Sequence, residues 1–223
     1  MSATEAPQGL LDARTQEMLD RLAIRELIDD WTLLRDARQW DRWLALWHEG
    51  GVMITTWGGR TSPEEYAEKC QAGYARGDRI LLANGGTSIQ LAGDRAVSQS
   101  KVRITQMGPI EGVACEVTCL GRNFDFCERR HGRWGFVLRQ PIYEHDMVMV
   151  VDPTTTTKLK RKKLARYPDG YARLAYMQDE LGYRVPPDMP VLDGPELEAL
   201  DRHGELWLTG HELTWAGIAA PPD

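Results

Sequence analysis

Long strand-like segments joined by short connections occupy the middle of the chain and most restrict its fold. The segments comprise residues 87–91, 96–107, 113–127 and 134–145. Each gap between them is short and contains a glycine, the residue that most readily forms tight turns. Because such short connections join antiparallel neighbours, the pattern predicts a meander of long antiparallel strands.

Three helices are predicted before this meander. In residues 15–36, apolar side chains recur at three- and four-residue steps, the period of an amphipathic helix. Residues 40–47 carry a tryptophan stripe, and Ser62 is a suitable N-cap for a third helix with Pro63 in its first position. One strand, residues 52–57, separates the second and third helices. Helices followed by a meander predict an α+β fold, with the helices on one face of a curved antiparallel sheet.

A helical extension is expected after this domain. We assign residues 1–153 to the main domain and residues 154–223 to the extension. Within the extension, residues 169–181 and a segment beginning at Pro195 have helical patterns. The extension has too few apolar side chains for a core of its own. We therefore expect it to pack on the main domain or on a neighbouring subunit.

Composition and charge exclude several classes of partner. Apolar residues make up 42% of the chain and charged residues 27%, with a net charge of −6, so no basic surface for nucleic acid is expected. No apolar run approaches the ~20 residues that span a bilayer. The N-terminus lacks the basic start and apolar core of a signal peptide. We expect a cytoplasmic protein without nucleic-acid or membrane partners.

Neither a metal nor a nucleotide cofactor is expected. The four cysteines are Cys70, Cys115, Cys119 and Cys127. They form no CxxC pair and have no histidine partners at zinc-finger spacing, so buried reduced thiols are the simpler interpretation. The glycine pairs Gly58-Gly59 and Gly85-Gly86 lack the strand–GxGxxG–helix setting of a phosphate-binding loop.

The end of the last predicted strand carries the clearest candidate for chemistry. Side chains alternate between the two faces of a strand, so Tyr143 and His145 should share one face while Ile142 and Glu144 share the other. A phenol beside an imidazole makes a plausible proton-transfer pair, because histidine changes charge near neutral pH. A purely structural histidine at the strand end is the alternative.

Taken together, these segments resemble the nuclear transport factor 2-like superfamily. The resemblance rests on the order of helices and meander, on the helix end RDARQWDRW (residues 35–43) and on the GRWGF segment (residues 132–136). It covers about residues 15–150, and within the superfamily the chain is similar to the SnoaL-like and scytalone dehydratase branch. The resemblance implies a cone with a deep apolar pocket, and a homo-oligomer, either a dimer or a trimer.

The resemblance also implies roles for single residues. Asp36 stands where scytalone dehydratase-like enzymes have a pocket aspartate that orients a histidine, and Asn123 where they have a substrate-binding asparagine. The two histidine positions of those enzymes are Leu82 and Gln106 here, so that mechanism does not carry over intact. We expect His145, oriented by Asp36, to act as the acid and base instead. Tyr143, beside His145, completes the predicted catalytic set.

Six residues are predicted to bind the substrate. They are Asn123, Arg122, Trp57, Gln106, Asn84 and Lys101. By strand parity, Gln106 faces the pocket together with Val102 and Ile104, whereas Lys101 reaches the pocket only if a β-bulge reverses the faces of its strand. Arg122 would steady a phenolate if its side chain turns inward.

A narrower resemblance suggests a reaction. Residues 140–146, 151–153, 167–176 and 181–183 are similar to a SnoaL-like subgroup with a C-terminal extension. This similarity implies cofactor-independent lyases that release formaldehyde from lignin-derived diarylpropanediols and leave stilbenes. The leading hypothesis is therefore a cofactor-independent lyase that acts on a bulky aromatic substrate by acid/base chemistry. A dehydratase or isomerase of a polyketide- or steroid-like ring and a non-catalytic small-molecule binding protein are the alternatives.

Overall fold

Six strands and six helices form the structure, a computed structural model that describes residues 12–213. The helices are α1 (Ala13–Asp36), α2 (Trp40–Leu44), α3 (Pro63–Arg76), α4 (Arg161–Leu164), α5 (Ala172–Glu180) and α6 (Pro195–Leu208). The strands are β1 (Trp47–Thr55), β2 (Gly59–Thr61), β3 (Arg79–Ala92), β4 (Arg95–Ile110), β5 (Val113–Arg130) and β6 (Arg133–Val150). They form one curved sheet in the order β2-β1-β6-β5-β4-β3. The predicted α+β cone is confirmed, with a sheet that does not close into a barrel.

The predicted meander is present and gains one parallel edge. Strands β3 to β6 pair antiparallel in sequence order, and glycines with positive φ angles lie at all three turns. Strand β1 instead pairs parallel with β6, so the prediction of an entirely antiparallel sheet is wrong at this edge. The chain reaches β1 from α2 and not through a hairpin, so no short turn imposes the antiparallel direction.

Local signals determine where the N-terminal helices begin and end. The side chain of Asp12 accepts a hydrogen bond from the backbone N of Thr15 (2.8 Å) and caps α1. Ser62 and Glu65 exchange the two hydrogen bonds of a capping box at the start of α3. Helix α2 is shorter than predicted because Trp47 already belongs to β1.

Apolar side chains are buried in two clusters. One joins α1, α2 and α3 to the sheet and includes Trp31, Trp43 and Phe136. The other joins the strands to the C-terminal helices and includes Tyr171 and Trp207. Burying each such side chain contributes roughly 1.5–3 kcal/mol. Because the second cluster draws on both strands and extension, the extension shares its core with the sheet.

The two longer helices of the extension lie on opposite faces of the sheet. Helix α5 contacts β4, β5 and β6 on the face that also meets α1. Helix α6 contacts β4, and a Cβ at its Gly204 would lie 2.9 Å from the ring of Phe124 in β5, so the glycine allows the helix to approach the sheet closely. Between these helices, the carbonyl of Pro190 accepts a hydrogen bond from the backbone N of Tyr143 (2.9 Å). The extension thus reaches the part of β6 that carries the catalytic candidates, which lies within the strand and not at its predicted end because β6 continues to Val150.

Two further observations concern residues 12–213. No helix in this range is both long and apolar enough to cross a membrane. All four cysteines are buried and none forms a disulfide.

Candidate functional site

An apolar cavity lies between the sheet and α1, α3 and α5. The space between its walls that is not occupied by protein atoms is about 450 Å³, including the solvent at its opening. Its aromatic walls are Trp31, Trp57, Tyr66 and Tyr143. Its remaining lining is mostly aliphatic, with polar groups from α1, the β1 end, β5 and α5. We call it the main cavity.

A β-bulge in β6 separates the two residues that were predicted to act together. Tyr143 pairs with Gly121 and His145 with Leu120, so Glu144 is an additional residue with no partner of its own. Neighbouring residues of β5 face opposite ways, and the bulge therefore turns Tyr143 inward and His145 outward. Tyr143 is buried and lines the main cavity, whereas His145 is exposed. The prediction that Tyr143 and His145 share a face is wrong, and the assignment of His145 as the catalytic acid and base is therefore wrong as well.

Gly121 allows this local geometry. A Cβ at this position would lie 2.2 Å from the carbonyl oxygen of Ile142, a backbone atom that cannot move aside easily. A glycine is therefore needed opposite the bulge.

The phenol of Tyr143 is held so that it can donate a proton. Its oxygen accepts a hydrogen bond from the backbone N of Thr56 (3.2 Å). Burial raises the pKa of Tyr143, so the phenol is protonated at neutral pH. Because the oxygen is the acceptor in the contact with Thr56, its own proton remains available to a ligand in the cavity.

Asp36 contacts the cavity only through Arg35, a residue that was not predicted to belong to the site. Asp36 does not line the cavity; its Oδ1 accepts a hydrogen bond from Arg35 Nη1 (2.6 Å) and its Oδ2 accepts one from Leu82 N (2.9 Å). Arg35 is 1% exposed and lines the cavity. The predicted pairing of Asp36 with His145 is thus wrong. The signal for Arg35 was present, because it follows Trp31 by four residues on the apolar stripe of α1.

Asn123 and Trp57 lie where the sequence analysis expected them, at the cavity wall. Asn123 is 3% exposed and its Nδ2 has no hydrogen-bond partner within the described part of the chain. An unpaired buried amide costs about 1–3 kcal/mol, which a ligand acceptor would recover. Trp57 packs against Tyr66 with ring centroids 5.2 Å apart. Their predicted contact with substrate stays a prediction.

Gln106 and Asn84 lie outside the wall. Gln106 is buried behind it and accepts a hydrogen bond from Gln178 Nε2 (2.9 Å); Gln178, from α5, lines the cavity in its place. Asn84 donates to the carbonyl of Ile28 (3.0 Å) and is not among the lining residues. Direct substrate contact is therefore wrong for both. No sequence pattern singles out Gln178, since its position depends on how the extension folds back.

Lys101 and Arg122 lie on the outer face of the sheet. Both bind the carboxylate of Glu144, Lys101 at 2.5 Å and Arg122 through its guanidinium. Lys101 is 61% exposed in its side chain. The strand has no bulge that would reverse Lys101, and Arg122 does not turn inward, so both predicted substrate contacts are wrong.

A smaller side cavity adjoins the main one. Its space not occupied by protein atoms is about 210 Å³, including the solvent at its opening, and it shares Arg35, Trp57 and Ile80 with the main cavity. Tyr183, which follows α5, closes it by donating to Asp78 (2.5 Å) and by packing against Trp57 with ring centroids 5.8 Å apart.

The main cavity offers mostly hydrogen-bond donors in an apolar setting. Its described lining includes the phenol of Tyr143, the amide of Asn123 and the guanidinium of Arg35, but no carboxylate and no histidine. Within residues 12–213, no three His, Cys, Asp or Glu side chains are grouped as a metal would need. The arrangement is suited to holding an aromatic ring and stabilising oxygen atoms that carry negative charge.

Sequence comparison finds relatives over most of the chain. Residues 16–140 match the SnoaL-like domain family. A PEP2-like protein of Fusarium vanettenii is 33% identical over 206 residues, which are 88% of this chain and 88% of that one. Pea pathogenicity protein 2 of the same organism is 33% identical over 208 residues, 87% of this chain and 88% of that one.

Solved structures share the fold. A type 3 hexachlorocyclohexane dehydrochlorinase from Novosphingobium barchaimii superposes with a TM-score of 0.56 at 16% identity, over 65% of this chain and 100% of that one. An NTF2-like protein with a cystatin-like fold from Novosphingobium aromaticivorans gives a TM-score of 0.50 at 20% identity, over 66% and 94%. At these identities the likeness extends to the fold and not to the reaction.

Proposed function

The chain belongs to the SnoaL-like family, and we propose that it is a lyase that breaks a carbon–oxygen bond of a bulky aromatic alcohol without a cofactor. The observation that carries the proposal is the buried phenol of Tyr143, which lines an aromatic cavity with its oxygen fixed by Thr56 N. A proton donor held in this way needs no reorganisation when a leaving hydroxyl departs.

The first step is the loss of water from a 4-hydroxyaryl alcohol. The ionised ring hydroxyl pushes an electron pair towards the benzylic carbon, and the bond from that carbon to its hydroxyl breaks. Tyr143 gives its proton to the departing hydroxyl, which leaves as water. The products of this step are a quinone methide and the Tyr143 phenolate. Proton transfer from one positioned group is worth typically ~10²–10⁴-fold in rate.

The second step applies when the substrate is a diarylpropanediol, which is the finer proposal. The Tyr143 phenolate takes the proton of the terminal hydroxyl, the adjacent carbon–carbon bond breaks and formaldehyde leaves. The released electron pair restores the aromatic ring as a phenolate and leaves a stilbene. Tyr143 is protonated again, so one residue serves both steps. Burial raises the pKa of Tyr143, which makes its phenolate a strong base once formed.

Two amides are proposed to orient the substrate. Asn123 has an unpaired Nδ2 and Gln178 an unpaired Oε1, both buried at the cavity. A substrate hydroxyl can accept from the first and donate to the second, which fixes the leaving group near Tyr143.

The test is turnover without an added cofactor. Purified protein is incubated with a panel of 4-hydroxyaryl alcohols and diarylpropanediols, and alkene absorbance and formaldehyde are followed together. We expect Tyr143→Phe to lower kcat at least ~100-fold, because it removes only the hydroxyl that moves the proton. Tyr167→Phe is the matched control, since Tyr167 is a buried tyrosine outside the cavity wall. It should keep wild-type turnover.

The products separate the competing functions. Stilbene and formaldehyde in equal amounts support the diol cleavage, and alkene without formaldehyde supports dehydration alone. A double-bond shift without water loss identifies an isomerase. Tight binding of the panel with no turnover identifies a binding protein, a candidate favoured by the lack of a carboxylate or histidine in the described lining.

The remaining expectations about the protein are also proposals. A small aromatic molecule is the proposed partner, the protein is proposed to be a homo-oligomer, and the cytoplasm is its proposed location. Light scattering of the purified protein and fractionation of expressing cells test the last two.

A further inference from the structure

Arg35 forms part of the wall between the main cavity and the side cavity. It lines both of them, together with Trp57 and Ile80. A ligand ring in the main cavity can therefore direct a substituent towards the guanidinium at the junction. Among the described residues that line the main cavity, Arg35 is the one cation.

The hydrogen bonds of Arg35 leave part of its guanidinium without a partner. Nη1 donates to Asp36 Oδ1 (2.6 Å) and to the carbonyl of Ile80 (3.1 Å), and Nε donates to the phenol oxygen of Tyr66 (3.2 Å). Nη2 has no oxygen or nitrogen acceptor within residues 12–213, and the neutral thiol of Cys70 lies beside the guanidinium. The guanidinium thus meets Asp36 at one point and not as a fork, although it is 1% exposed. A buried guanidinium is stabilised most by a second acceptor at the free nitrogen.

The groups that face Arg35 from α3 carry no charge at neutral pH. Burial raises the pKa of Tyr66, of Cys70 and of Tyr74, so the two phenols and the thiol stay protonated. None of these groups competes as an anion for the free nitrogen of Arg35.

The other charged groups at the side cavity are already engaged or cationic. The carboxylate of Asp78 is held by the hydroxyl of Tyr183 (2.5 Å) and by Arg76 (3.1 Å). Lys69 adds a second positive charge and donates to the carbonyl of Gly58 (2.9 Å). An anion bound at Arg35 therefore has a second positive charge on the wall of the side cavity, while both nearby carboxylates have partners.

We infer that the substrate binds as an oxyanion, the ionised phenol of its reacting ring, with that oxygen against Arg35 where the two cavities meet. The inference rests on the function proposed above, in which the main cavity is the substrate site. It supplies the electron push of the first step, because ion pairing with Arg35 favours the phenolate before the benzylic bond breaks.

The experiment measures the ionisation of a bound phenol directly. The probe is 4-nitrophenol, whose phenol and phenolate forms absorb at different wavelengths, and it is titrated with pH in the presence of excess protein. We expect the acidity constant of the bound probe to be raised at least tenfold over that of the free probe. The neutral ether 4-nitroanisole should bind at least tenfold more weakly than 4-nitrophenolate.

Variants connect the effect to one side chain. Arg35→Met should abolish the increase in acidity while leaving the affinity for 4-nitroanisole within about twofold, which also shows that the cavity is intact. Arg35→Lys keeps a charge without the fork and should retain part of the increase. Lys101→Met removes a cation on the outer face and is the matched control with wild-type behaviour. Should Arg35→Met not fold, the comparison of Arg35→Lys with wild type carries the test.

Each result decides the inference separately from turnover. Equal affinity for the ether and the phenolate, or a bound probe that stays neutral, overturns it. Tighter binding of 4-nitrobenzoate than of 4-nitrophenol overturns the assignment to a phenolate and shows a carboxylate site. The nitro compounds are not substrates, so a protein that ionises the probe but fails the diol assay keeps the inference and loses the proposed function. Turnover with a neutral bound probe keeps the proposed function and overturns the inference.

Discussion

Two buried arginines lie near Trp31 and differ in how their charge is satisfied. Arg139 donates two hydrogen bonds to Asp125, at 2.6 and 2.8 Å, and both side chains are fully buried. Its guanidinium lies 4.5 Å from the centre of the Trp31 ring and does not line the main cavity. Arg35 meets its carboxylate at one point, and that carboxylate is 21% exposed. Arg139 is neutralised by a two-point ion pair away from the main cavity, although its Nη1 has no hydrogen-bond partner among the described residues, whereas Arg35 is held at one point and lines the cavity, where a ligand can reach it.

The largest effect on stability should come from Arg139→Met. The change leaves the carboxylate of Asp125 buried without its cation, which typically costs about 3–5 kcal/mol. Chemical denaturation followed by tryptophan fluorescence measures the free energy of unfolding. The double variant Arg139→Met with Asp125→Leu removes both charges and should recover most of the loss. A loss that persists in the double variant would assign the effect to packing and not to charge.

Arg35→Met should destabilise the protein less, by about 1–3 kcal/mol. The variant loses the hydrogen bonds to Tyr66 and Ile80, but Asp36 remains partly hydrated and keeps its bond from Leu82 N. Its main effect should be on turnover and on the ionisation of bound 4-nitrophenol. If denaturation shows that Arg35→Met costs as much as Arg139→Met, the contrast between the two arginines is wrong and Arg35 is mainly structural.

The sequence was sufficient for the fold but not for the face of every strand residue. Helix periodicity, the capping box at Ser62 and glycine-containing turns act locally, so the α+β order could be predicted. The bulge at Glu144 depends on how two strands pair, and one additional residue reverses every later side chain. Gly121 is an isolated glycine within a strand pattern, and such glycines often indicate a bulge, so it is the one local signal for this irregularity.

The candidate site was predictable only in part for the same physical reason. Tyr143, Asn123 and Trp57 come from the main domain and could be located from strand parity or resemblance. Gln178 reaches the cavity only because α5 folds back over the sheet, which no local pattern specifies. Arg35 could have been found from its place on the apolar stripe of α1, where a charged residue at a core position needs an explanation.

Asp36→Asn should lower the free energy of unfolding less than Arg35→Met does, and its main effect should be on the ionisation of a bound phenol. The amide oxygen can still accept from Leu82 N, so the loss of stability should be about 1 kcal/mol or less. Removing the negative charge leaves the guanidinium of Arg35 less neutralised, so bound 4-nitrophenol should become more acidic than in wild type. Turnover should nevertheless fall, because Arg35 loses the contact that positions it. A bound probe that becomes less acidic would show that Asp36 acts on the ligand by another route.

The smallest effect should come from Lys101→Met, which tests the outer face of the sheet against the cavity. Lys101 and Arg122 share the carboxylate of Glu144; burial opposes ionisation of this carboxyl, but the two cations hold the pKa of Glu144 below its ordinary value. A lowered pKa means that the ion pairs of Glu144 stabilise the fold above the ordinary pKa of the carboxyl. This contribution is lost as the pH falls through the lowered pKa.

Since Lys101 is largely exposed and Arg122 still binds Glu144, Lys101→Met should change the free energy of unfolding at neutral pH by less than about 0.5 kcal/mol. Turnover should match wild type at every pH at which the protein is folded. A drop in kcat without loss of stability would return Lys101 to the candidate site and would mean that the outer face takes part in the reaction.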